Sequence, residues 1–377
     1  MAAFHQMGHD TQNLIAEVPG FSGVIASPVN DTPDEVGAHI ARYKKPGFSF
    51  LVDPMLYFPK SERGQLRTWS HFPDDVDTAD LSSLAWWDQI NAALIETASK
   101  LGVDGLCSPA VVPAAFSNDY YGLTVDVGDR LAANANGSVW QTVLLRLAEL
   151  TELRAMEIAS VVSRTKAAGV YVVFVTDVAP RVELREVEQL RGAIRFIRAL
   201  RQADVKTLVG FCGSDVLLWK AAGAHSCATG KFFNLRRFTP GRFDEPSKGG
   251  GQLPYWFEES LVGYLRESDV GKLEAAGLLA DSIQTNPFCA QIVSQLKTDP
   301  KKAWVKLGWR QWMYWFADVE VRVSNGQLDV PALLLAAEKT WVALDEKDIF
   351  LEERRNDGAW IKPWRRALVE PDPASDQ

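Results

Sequence analysis

Short apolar runs alternate with longer segments of helical period along the first 240 residues. The runs are rich in Val, Ile and Phe, and the clearest of them, 170–175, is apolar throughout. Strands buried on both faces have this pattern, and their alternation with helices is typical of βα units around a parallel sheet. We therefore predict seven strands, at 23–28, 48–54, 105–112, 142–147, 170–177, 207–212 and 226–232.

Four segments between these strands have the spacing of amphipathic helices. The segment 32–43 opens with Thr32, Pro33, Asp34 and Glu35. A hydroxyl, a proline and two acids are favourable in a first helical turn. The segments 84–101 and 152–168 each end before a glycine, and 183–201 repeats apolar residues at intervals of three and four.

Seven strands are one fewer than a closed barrel of this type contains. The eighth would lie near 14–18, around 123–127, or be absent. An open doubly wound sheet would give the same strand count. However, neither GxGxxG nor GxxxxGK[ST] follows a strand, which disfavours the usual nucleotide-binding open sheets. We predict an α/β fold, a (β/α) TIM-like barrel that is either complete or one strand short.

The pattern changes at Lys248-Gly249-Gly250-Gly251, after which helical periodicity dominates. We predict a barrel over 1–247, a helical C-terminal extension packed on it over 248–368, and a disordered tail over 369–377. The predicted helices of the extension are 255–267, 269–279, 287–296, 304–321 and 331–344.

Tryptophan is concentrated in this last third, which holds eight of the 13 tryptophans. Four of them share one predicted helix: Trp304, Trp309, Trp312 and Trp315. We interpret this helix as buried against the barrel. The alternative is an exposed aromatic platform for a base, a sugar or a partner protein.

Composition and charge narrow the class of protein. The chain is 47% hydrophobic and 23% charged, and its formal net charge of −8 argues against a protein that coats nucleic acid over its whole surface. A local basic patch is compatible with this net charge. The widely spaced Cys107, Cys212, Cys227 and Cys289 form no CxxC pair, a pattern that suits a reducing compartment. No signal peptide and no apolar stretch of about 20 residues is visible, so we predict a cytoplasmic protein that does not enter a membrane.

Polar residues follow most of the predicted strands. Ligands of barrels and of open α/β sheets bind outside the carboxyl ends of the strands, so these residues are candidates for one site. Each residue alone is equally explained as an ordinary helix cap or turn. The candidates are Asp53, Ser108, Arg146, Asp177, Ser214, Asp215, Lys231 and Asn234.

The segment 207–237 carries the most specific pattern. It contains a strand, the turn Cys212-Gly213-Ser214-Asp215, a short helix, Gly223-Ala224, a strand and Gly230-Lys231. This order resembles the last two units of phosphate-binding TIM barrels, including aldolase-like barrels and barrels that handle flavins or nucleotide sugars. The resemblance implies that the backbone at Gly213, Ser214 and Gly230 grips an anion. Ordinary βα turns use glycine as well.

Cations and aromatic residues follow directly. Lys231, Arg236, Arg237 and Arg242 are interleaved with Phe232, Phe233 and Phe238, and Asn234 lies among them. These cations would complement a phosphate or carboxylate, or hold a nucleic-acid backbone. Alternatively, Arg236 and Arg237 form ion pairs with acids such as Asp244, Glu245, Glu258 or Glu259.

The sequence identifies no cofactor. The five histidines form no HxH or HExxH motif, and a zinc site at Cys212, His225 and Cys227 is not expected. A magnesium ion held by Asp53, Asp177 or Asp215 is compatible with the preference of hard cations for oxygen ligands.

We predict an enzyme that acts on a phosphorylated or nucleotide-like substrate. Lys231 and Arg236 would neutralise the anion, and Asn234, Arg237, Arg146 and Tyr121 would line the pocket. Asp53, Asp177 and Asp215 would provide acid–base or nucleophilic groups for glycosyl or ribosyl transfer. Carbon–carbon lysis, with Lys231 as the nucleophile, is the other reaction that fits.

A transglycosylase acting on a base would use both the carboxylates and the basic segment. In this respect the chain resembles the tRNA-guanine transglycosylases, although their cysteine-rich zinc motif is not found. The alternative function is a non-catalytic scaffold that binds a protein, a nucleic acid or a second copy of the chain through its aromatic and basic C-terminal region.

Overall fold

Eight parallel strands close into a barrel. The computed structural model describes residues 3–9, 11–244, 252–352 and 357–369. Each strand pairs with the next along the chain, and the eighth pairs with the first. The predicted (β/α) barrel is therefore confirmed, and it is complete. Its strands are β1 Ala3–Gln6, β2 Phe21–Ala26, β3 Ser49–Val52, β4 Gly105–Cys107, β5 Ser138–Arg146, β6 Gly169–Val175, β7 Thr207–Val209 and β8 Ser226–Thr229.

The strand without a predicted counterpart is β1. Both places suggested for an eighth strand are helical: 14–17 lies in α1 and 123–127 lies in α4. The strand β1 reads Ala-Phe-His-Gln, and all four residues are buried. Because His5 and Gln6 are polar, the apolar pattern used to find the other strands does not detect this one.

Seven helices connect the barrel strands. They are α1 Gln12–Glu17, α2 Pro33–Tyr43, α3 Leu84–Leu101, α4 Asn118–Asn134, α5 Glu152–Val162, α6 Val187–Gln202 and α7 Val216–Ala222. The start of α2 is the predicted capping arrangement, since the Thr32 hydroxyl accepts from the Glu35 N–H and the Glu35 carboxylate accepts from the Thr32 N–H. The helix α5 ends six residues before its predicted end at 168.

The region after the barrel is mainly helical, but it begins with a β-hairpin. Residues 255–267 were predicted as a helix; instead β9 Trp256–Glu258 pairs with β10 Gly263–Leu265. Val262, at the turn, has φ of +49°, which does not continue a right-handed helix. The helices that follow are α8 Glu267–Ala275, α9 Ala280–Thr285, α10 Pro287–Thr298, α11 Val305–Ser324, α12 Val330–Glu346 and α13 Ile361–Leu368.

Apolar side chains of the barrel and of the C-terminal helices form one continuous core. Trp312, Phe316 and Trp364 belong to the same buried cluster as the strand residues. A smaller cluster lies between the hairpin and α8 to α12. The proposed division at 247/248 falls in 245–251, outside the described residues, as does most of the predicted tail, 370–377. Among the helices that the structure describes, none is long and apolar enough to cross a membrane.

The Trp-rich helix is packed as we interpreted it. Trp304, Trp312 and Trp315 are buried, and Trp309 is half-buried. Gly308 allows the helix to approach the hairpin closely, because a Cβ there would lie 2.5 Å from the carbonyl oxygen of Tyr255. The N-terminal half of α11 lies beside the carboxyl end of β8, where Trp312 Nε1 donates to the Thr229 hydroxyl at 3.3 Å.

Candidate ligand-binding site

A cavity of about 350 Å³ lies at the carboxyl ends of the barrel strands. We call it the mouth cavity. Its walls come from the segments that follow β1, β2, β3, β6 and β8, together with the hairpin and the first part of α11. The described residues that line it are Gly8, His9, Val29, Asn30, Arg63, Arg181, Lys231, Phe232, Phe233, Asn234, Leu235, Arg236, Arg242, Gln252, Leu253, Tyr255, Tyr264, Val305, Gly308, Trp309 and Trp312. Its size is that of a small-molecule site.

Five cations and no carboxylate are found among these lining residues. Arg63 donates to the Asp244 carbonyl, Arg181 to the Tyr255 hydroxyl at 3.3 Å, and Arg242 to the Asn234 carbonyl at 2.9 Å. These partners are neutral. The positive charge of these arginines therefore remains available to an anion.

Arg236 is almost fully buried in the wall of the mouth cavity. Its Nε and Nη2 donate to the carbonyl oxygens of Gly230 and Lys231, at 3.0 and 2.7 Å. Its Nη1 donates to the Tyr264 hydroxyl at 3.1 Å. Burial lowers the pKa of Arg236. These three contacts fix the guanidinium in position.

The aromatic rings of the mouth cavity lie against its cations. The Arg236 guanidinium is 4.1 Å from the Trp312 ring centre and 4.7 Å from that of Phe233. Phe233 also contacts Arg181, and the Lys231 ammonium is 4.2 Å from the Trp309 ring centre. These distances are typical of cation–π contacts. The rings thus hold the cations, which reduces the area left for stacking a base.

A second polar group lies inside the barrel. The carboxylate of Asp53, directly after β3, accepts from the Tyr57 hydroxyl at 2.8 Å and from the Met55 N–H at 2.9 Å. The Tyr171 hydroxyl is 3.4 Å from Asp53 Oδ2 and 3.3 Å from Gln6 Oε1. Because β1 and β6 are not neighbours in the barrel, the contact between Gln6 and Tyr171 crosses its interior. We call Gln6, Asp53, Tyr57 and Tyr171 the interior cluster.

Asp53 is shielded from solvent by aromatic side chains. Tyr57 packs edge-on against Phe238 with ring centres 5.0 Å apart, and Phe243 packs against both rings. Burial raises the pKa of Asp53 to about 6, although the Tyr57 and Met55 hydrogen bonds and the charge of Arg242 oppose the rise. Burial and the nearby Arg63 lower the pKa of Arg242 to about 10, while Asp53 acts in the other direction.

A third buried group surrounds Arg237. Its Nη2 lies 3.5 Å from both Asp215 Oδ2 and Glu183 Oε2, and its Nη1 donates to the Val182 carbonyl. Burial raises the pKa of Asp215 to about 7, which Arg237 opposes and Glu183 reinforces. Arg237 therefore forms ion pairs, as the alternative interpretation predicted. Its partners are Glu183 and Asp215. They are not the suggested Asp244, Glu258 or Glu259. Glu245 lies outside the described residues.

The two glycine turns do not line the mouth cavity. The Gly213 N–H donates to Asp215 Oδ1 at 2.8 Å, and the Ser214 hydroxyl donates to Glu183 at 2.6 Å. A Cβ at Gly230 would lie 2.5 Å from the Leu235 side chain. The Gly213 N–H and the Ser214 hydroxyl thus contact carboxylates of the protein. The grip on an anion by the backbone at Gly213, Ser214 and Gly230 stays a prediction.

The other predicted site residues are dispersed. Lys231, Asn234 and Arg236 line the mouth cavity, and Asp53 lies in the interior cluster. Asp177 is exposed, and Arg146 pairs with Glu149 at 3.4 Å, away from the cavity. Tyr121 belongs to α4, where its hydroxyl donates to the Leu144 carbonyl at 3.2 Å. The candidate Tyr121 therefore lies in the first part of a helix.

The pattern along the chain did not single out Arg63 and Arg181, nor Gln6, Tyr57 and Tyr171. The two arginines lie in long loops whose spacing carries no signal. Gln6 and Tyr171 could have been found as polar groups within buried strands, since such groups need partners inside a fold. Among the described residues, no group of three or more His, Cys, Asp or Glu side chains could hold a metal ion.

Comparison with known proteins gives weak likenesses. No protein-family model matches the chain, and no curated protein matches it. Among solved structures, the E. coli K12 prophage protein YagE, of the dihydrodipicolinic acid synthase family and in complex with pyruvate, is 11% identical. That match covers 93% of this chain and 99% of YagE, with a TM-score of 0.37.

A second solved structure is dihydrodipicolinate synthase from Oceanobacillus iheyensis. It is 9% identical, with 96% of this chain and 94% of that chain covered and a TM-score of 0.36. Likenesses this weak do not bear on the reaction or the ligand. The barrel itself is established by its own strand pairing.

Proposed function

We propose that the mouth cavity binds a phosphorylated small molecule and that the protein is an enzyme acting on it. The observation that carries the proposal is a ligand-sized cavity lined by five cations and, among the described residues, by no carboxylate. Among these cations, Arg236 and Arg242 are buried and donate to neutral groups. Their desolvated positive charge favours binding of an anionic ligand. The position at the carboxyl ends of the strands is the one that barrel enzymes use.

A phosphorylated sugar fits this cavity better than a nucleotide does. Phe233, Trp309 and Trp312 each have a cation against the ring. A base would compete with these cations for the aromatic surface, whereas a phosphate would contact the donors that the rings hold in place. Nucleotides share the phosphate chemistry, and the experiment below separates the two ligands.

For the reaction, we propose glycosyl or ribosyl transfer with Asp53 as the carboxylate. The charge of Arg242, which lines the cavity, acts on Asp53, and a carboxylate is the group that stabilises an oxocarbenium-like centre. Lysis through a Schiff base would need a nucleophilic lysine. Within the eight barrel strands no lysine occurs, and Lys231, two residues beyond β8, is the one lysine among the described residues that line the mouth cavity.

The proposal predicts saturable binding of phosphate compounds. We expect ribose 5-phosphate and inorganic phosphate to bind in isothermal titration calorimetry and to raise the unfolding temperature. Ligand at about 100 times its Kd stabilises the native state by about 2.7 kcal/mol. Adenosine monophosphate should bind no more tightly than ribose 5-phosphate, and Arg242→Gln should weaken phosphate binding at least about tenfold.

The control is Arg130→Gln, which removes an exposed arginine of α4 that pairs with Asp88. This variant should bind phosphate as the unaltered protein does. Equal loss of binding in both variants, or no binding of any phosphate compound, would contradict the proposal. Much tighter binding of adenosine monophosphate would identify a nucleotide as the ligand.

A further inference from the structure

Four of the five cations that line the mouth cavity are arginines, and they form two pairs. They are Arg63, Arg181, Arg236 and Arg242. Each donates to carbonyl or hydroxyl oxygens, and within the described ranges none of the four forms an ion pair with a carboxylate. The arrangement of these arginines indicates how many anionic groups a ligand of the cavity carries.

The first arginine pair is Arg63, in the loop after β3, and Arg242, in the segment after β8. Burial and the charge of Arg63 both lower the pKa of Arg242, so the two cations are near enough to repel each other. Arg242 is almost fully buried; its Nη1 donates to the Asn234 carbonyl, and its Nε has no partner among the described residues. Even with the nearby Asp53 carboxylate ionised, this pair keeps a net positive charge.

The second arginine pair is Arg181, in the loop after β6, and Arg236. Both guanidiniums contact the Phe233 ring, at 5.2 and 4.7 Å from its centre. Each donates to a tyrosine hydroxyl of the hairpin region, Arg181 to Tyr255 at 3.3 Å and Arg236 to Tyr264 at 3.1 Å. A guanidinium has more N–H groups than these contacts use, so both arginines can donate to a ligand as well.

The two pairs occupy different positions in one cavity. Asn234, whose carbonyl accepts from Arg242, directly follows Phe233, whose ring contacts the second pair. The first pair donates to backbone carbonyls at 234 and 244, whereas the second pair donates to the tyrosines of the hairpin region. Because both pairs line the same cavity of about 350 Å³, one small ligand can contact both.

A single phosphate compensates only part of the charge in this cavity. A phosphate group carries about −1.5 to −2 charges near pH 7, and the lining contains five cations. Glu183, whose charge acts on Arg236, already pairs with Arg237. A buried cation without a partner destabilises the native state, so a ligand with two phosphates matches the cavity more closely than a ligand with one.

We propose that the mouth cavity binds a sugar bisphosphate, with one phosphate at Arg63 and Arg242 and the other at Arg181 and Arg236. The inference rests on the proposed function, because it presupposes that the cavity binds a phosphorylated sugar. It adds that the sugar carries two anionic groups. A monophosphate occupies the first pair, where the Nε of buried Arg242 lacks an acceptor.

The test is calorimetry with ribose 5-phosphate and ribose 1,5-bisphosphate, which differ only in the phosphate on C1. We expect the unaltered chain to bind the bisphosphate at least about tenfold more tightly, the size of effect that hydrogen bonds to a charged group provide. In Arg181→Gln this preference should fall below about threefold, while the affinity for ribose 5-phosphate changes less than about twofold. Arg63→Gln should weaken both ligands by a similar factor, at least about threefold, and so keep the preference.

Both arginines keep part of their side chains in solvent, so neither substitution should prevent folding. The matched control is Arg185→Gln, in the same loop as Arg181, which removes an arginine that pairs with Asp357 at 2.9 Å and does not line the cavity. It should keep the full preference for the bisphosphate.

Two results would overturn this inference while leaving the proposed function in place. One is equal binding of the two ligands by the unaltered chain. The other is loss of the preference in Arg185→Gln as well as in Arg181→Gln, since that result indicates a general effect of net charge. An equal loss of both ligands in Arg181→Gln would also contradict separate phosphate positions. Failure of both ligands to bind the unaltered chain would overturn the proposed function and this inference with it.

Discussion

At the scale of single residues, Asp53 is a buried carboxylate whose ionised form lowers the stability of the native state. Its pKa is about 6 in the native state and 3.8 in an unperturbed chain, because burial disfavours the charged form. The native state therefore binds more protons than the unfolded state between these values, and stability falls as the pH rises through this interval. Above pH 6 the ionised carboxylate destabilises the native state by about 3 kcal/mol.

Asp53→Asn should therefore stabilise the protein at pH 7.5, by about 1–3 kcal/mol after the changes in hydrogen bonding are included. The gain should disappear near pH 4, where Asp53 is protonated in the native state. Urea unfolding at the two pH values measures the difference. Asp88→Asn, at an exposed carboxylate of α3, serves as the control. The same change in stability at both pH values would contradict the assigned burial and charge of Asp53.

At the scale of elements, a buried ion pair joins α7 to α11. Lys220 Nζ is 3.1 Å from Glu320 Oε1, and both side chains are almost inaccessible to solvent. Lys220 also donates to the carbonyl oxygens of Ala224 and His225, at 2.9 and 3.1 Å. Such a pair fixes how two helices meet, although its net contribution to stability is small because both charges are desolvated.

Removing one partner of this pair should be far more harmful than removing both. We expect Lys220→Met or Glu320→Leu to lower the free energy of unfolding by about 3–5 kcal/mol, because each leaves a buried charge uncompensated. The double variant should recover most of the loss. A double-mutant cycle in urea gives the coupling directly, and additive effects of the two substitutions would argue against a buried pair.

Elements with a local signal in the sequence were predicted, and elements without one were not. Helix α3 has the predicted bounds and seven strands were found, because apolar runs and glycine stops are local signals. The strand β1 and the hairpin were missed because His5 and Gln6 are polar and because 255–267 has helical spacing of its apolar residues. Of the residues that the strand-end rule selected, Lys231 and Asn234 line the cavity and Asp53 lies in the interior cluster. The rule could not tell that Asp177 would be exposed, since a side chain's direction depends on tertiary packing.

At the scale of the whole molecule, the shared core predicts one cooperative unfolding transition. The Trp364 side chain of α13 is fully buried, and its Nε1 donates to the Leu184 carbonyl at 2.7 Å, between α13 and the loop before α6. Trp364→Ala should lower the free energy of unfolding by about 3–5 kcal/mol and move the entire transition. Calorimetry and circular dichroism should give the same midpoint. A separate early transition of the C-terminal helices would contradict a common core.

The pairing of β1 with β8 has a consequence for the order of events during synthesis. Ala3–Gln6 leaves the ribosome before the other barrel strands, yet one of its two neighbouring strands, Ser226–Thr229, follows more than 200 residues later. Until then the unpaired edge of β1 can form no ladder with β8, and Gln6 lacks Tyr171 for most of that interval. The ring of strands, and with it the chamber that contains Asp53, is therefore assembled only after Ser226–Thr229 has been translated.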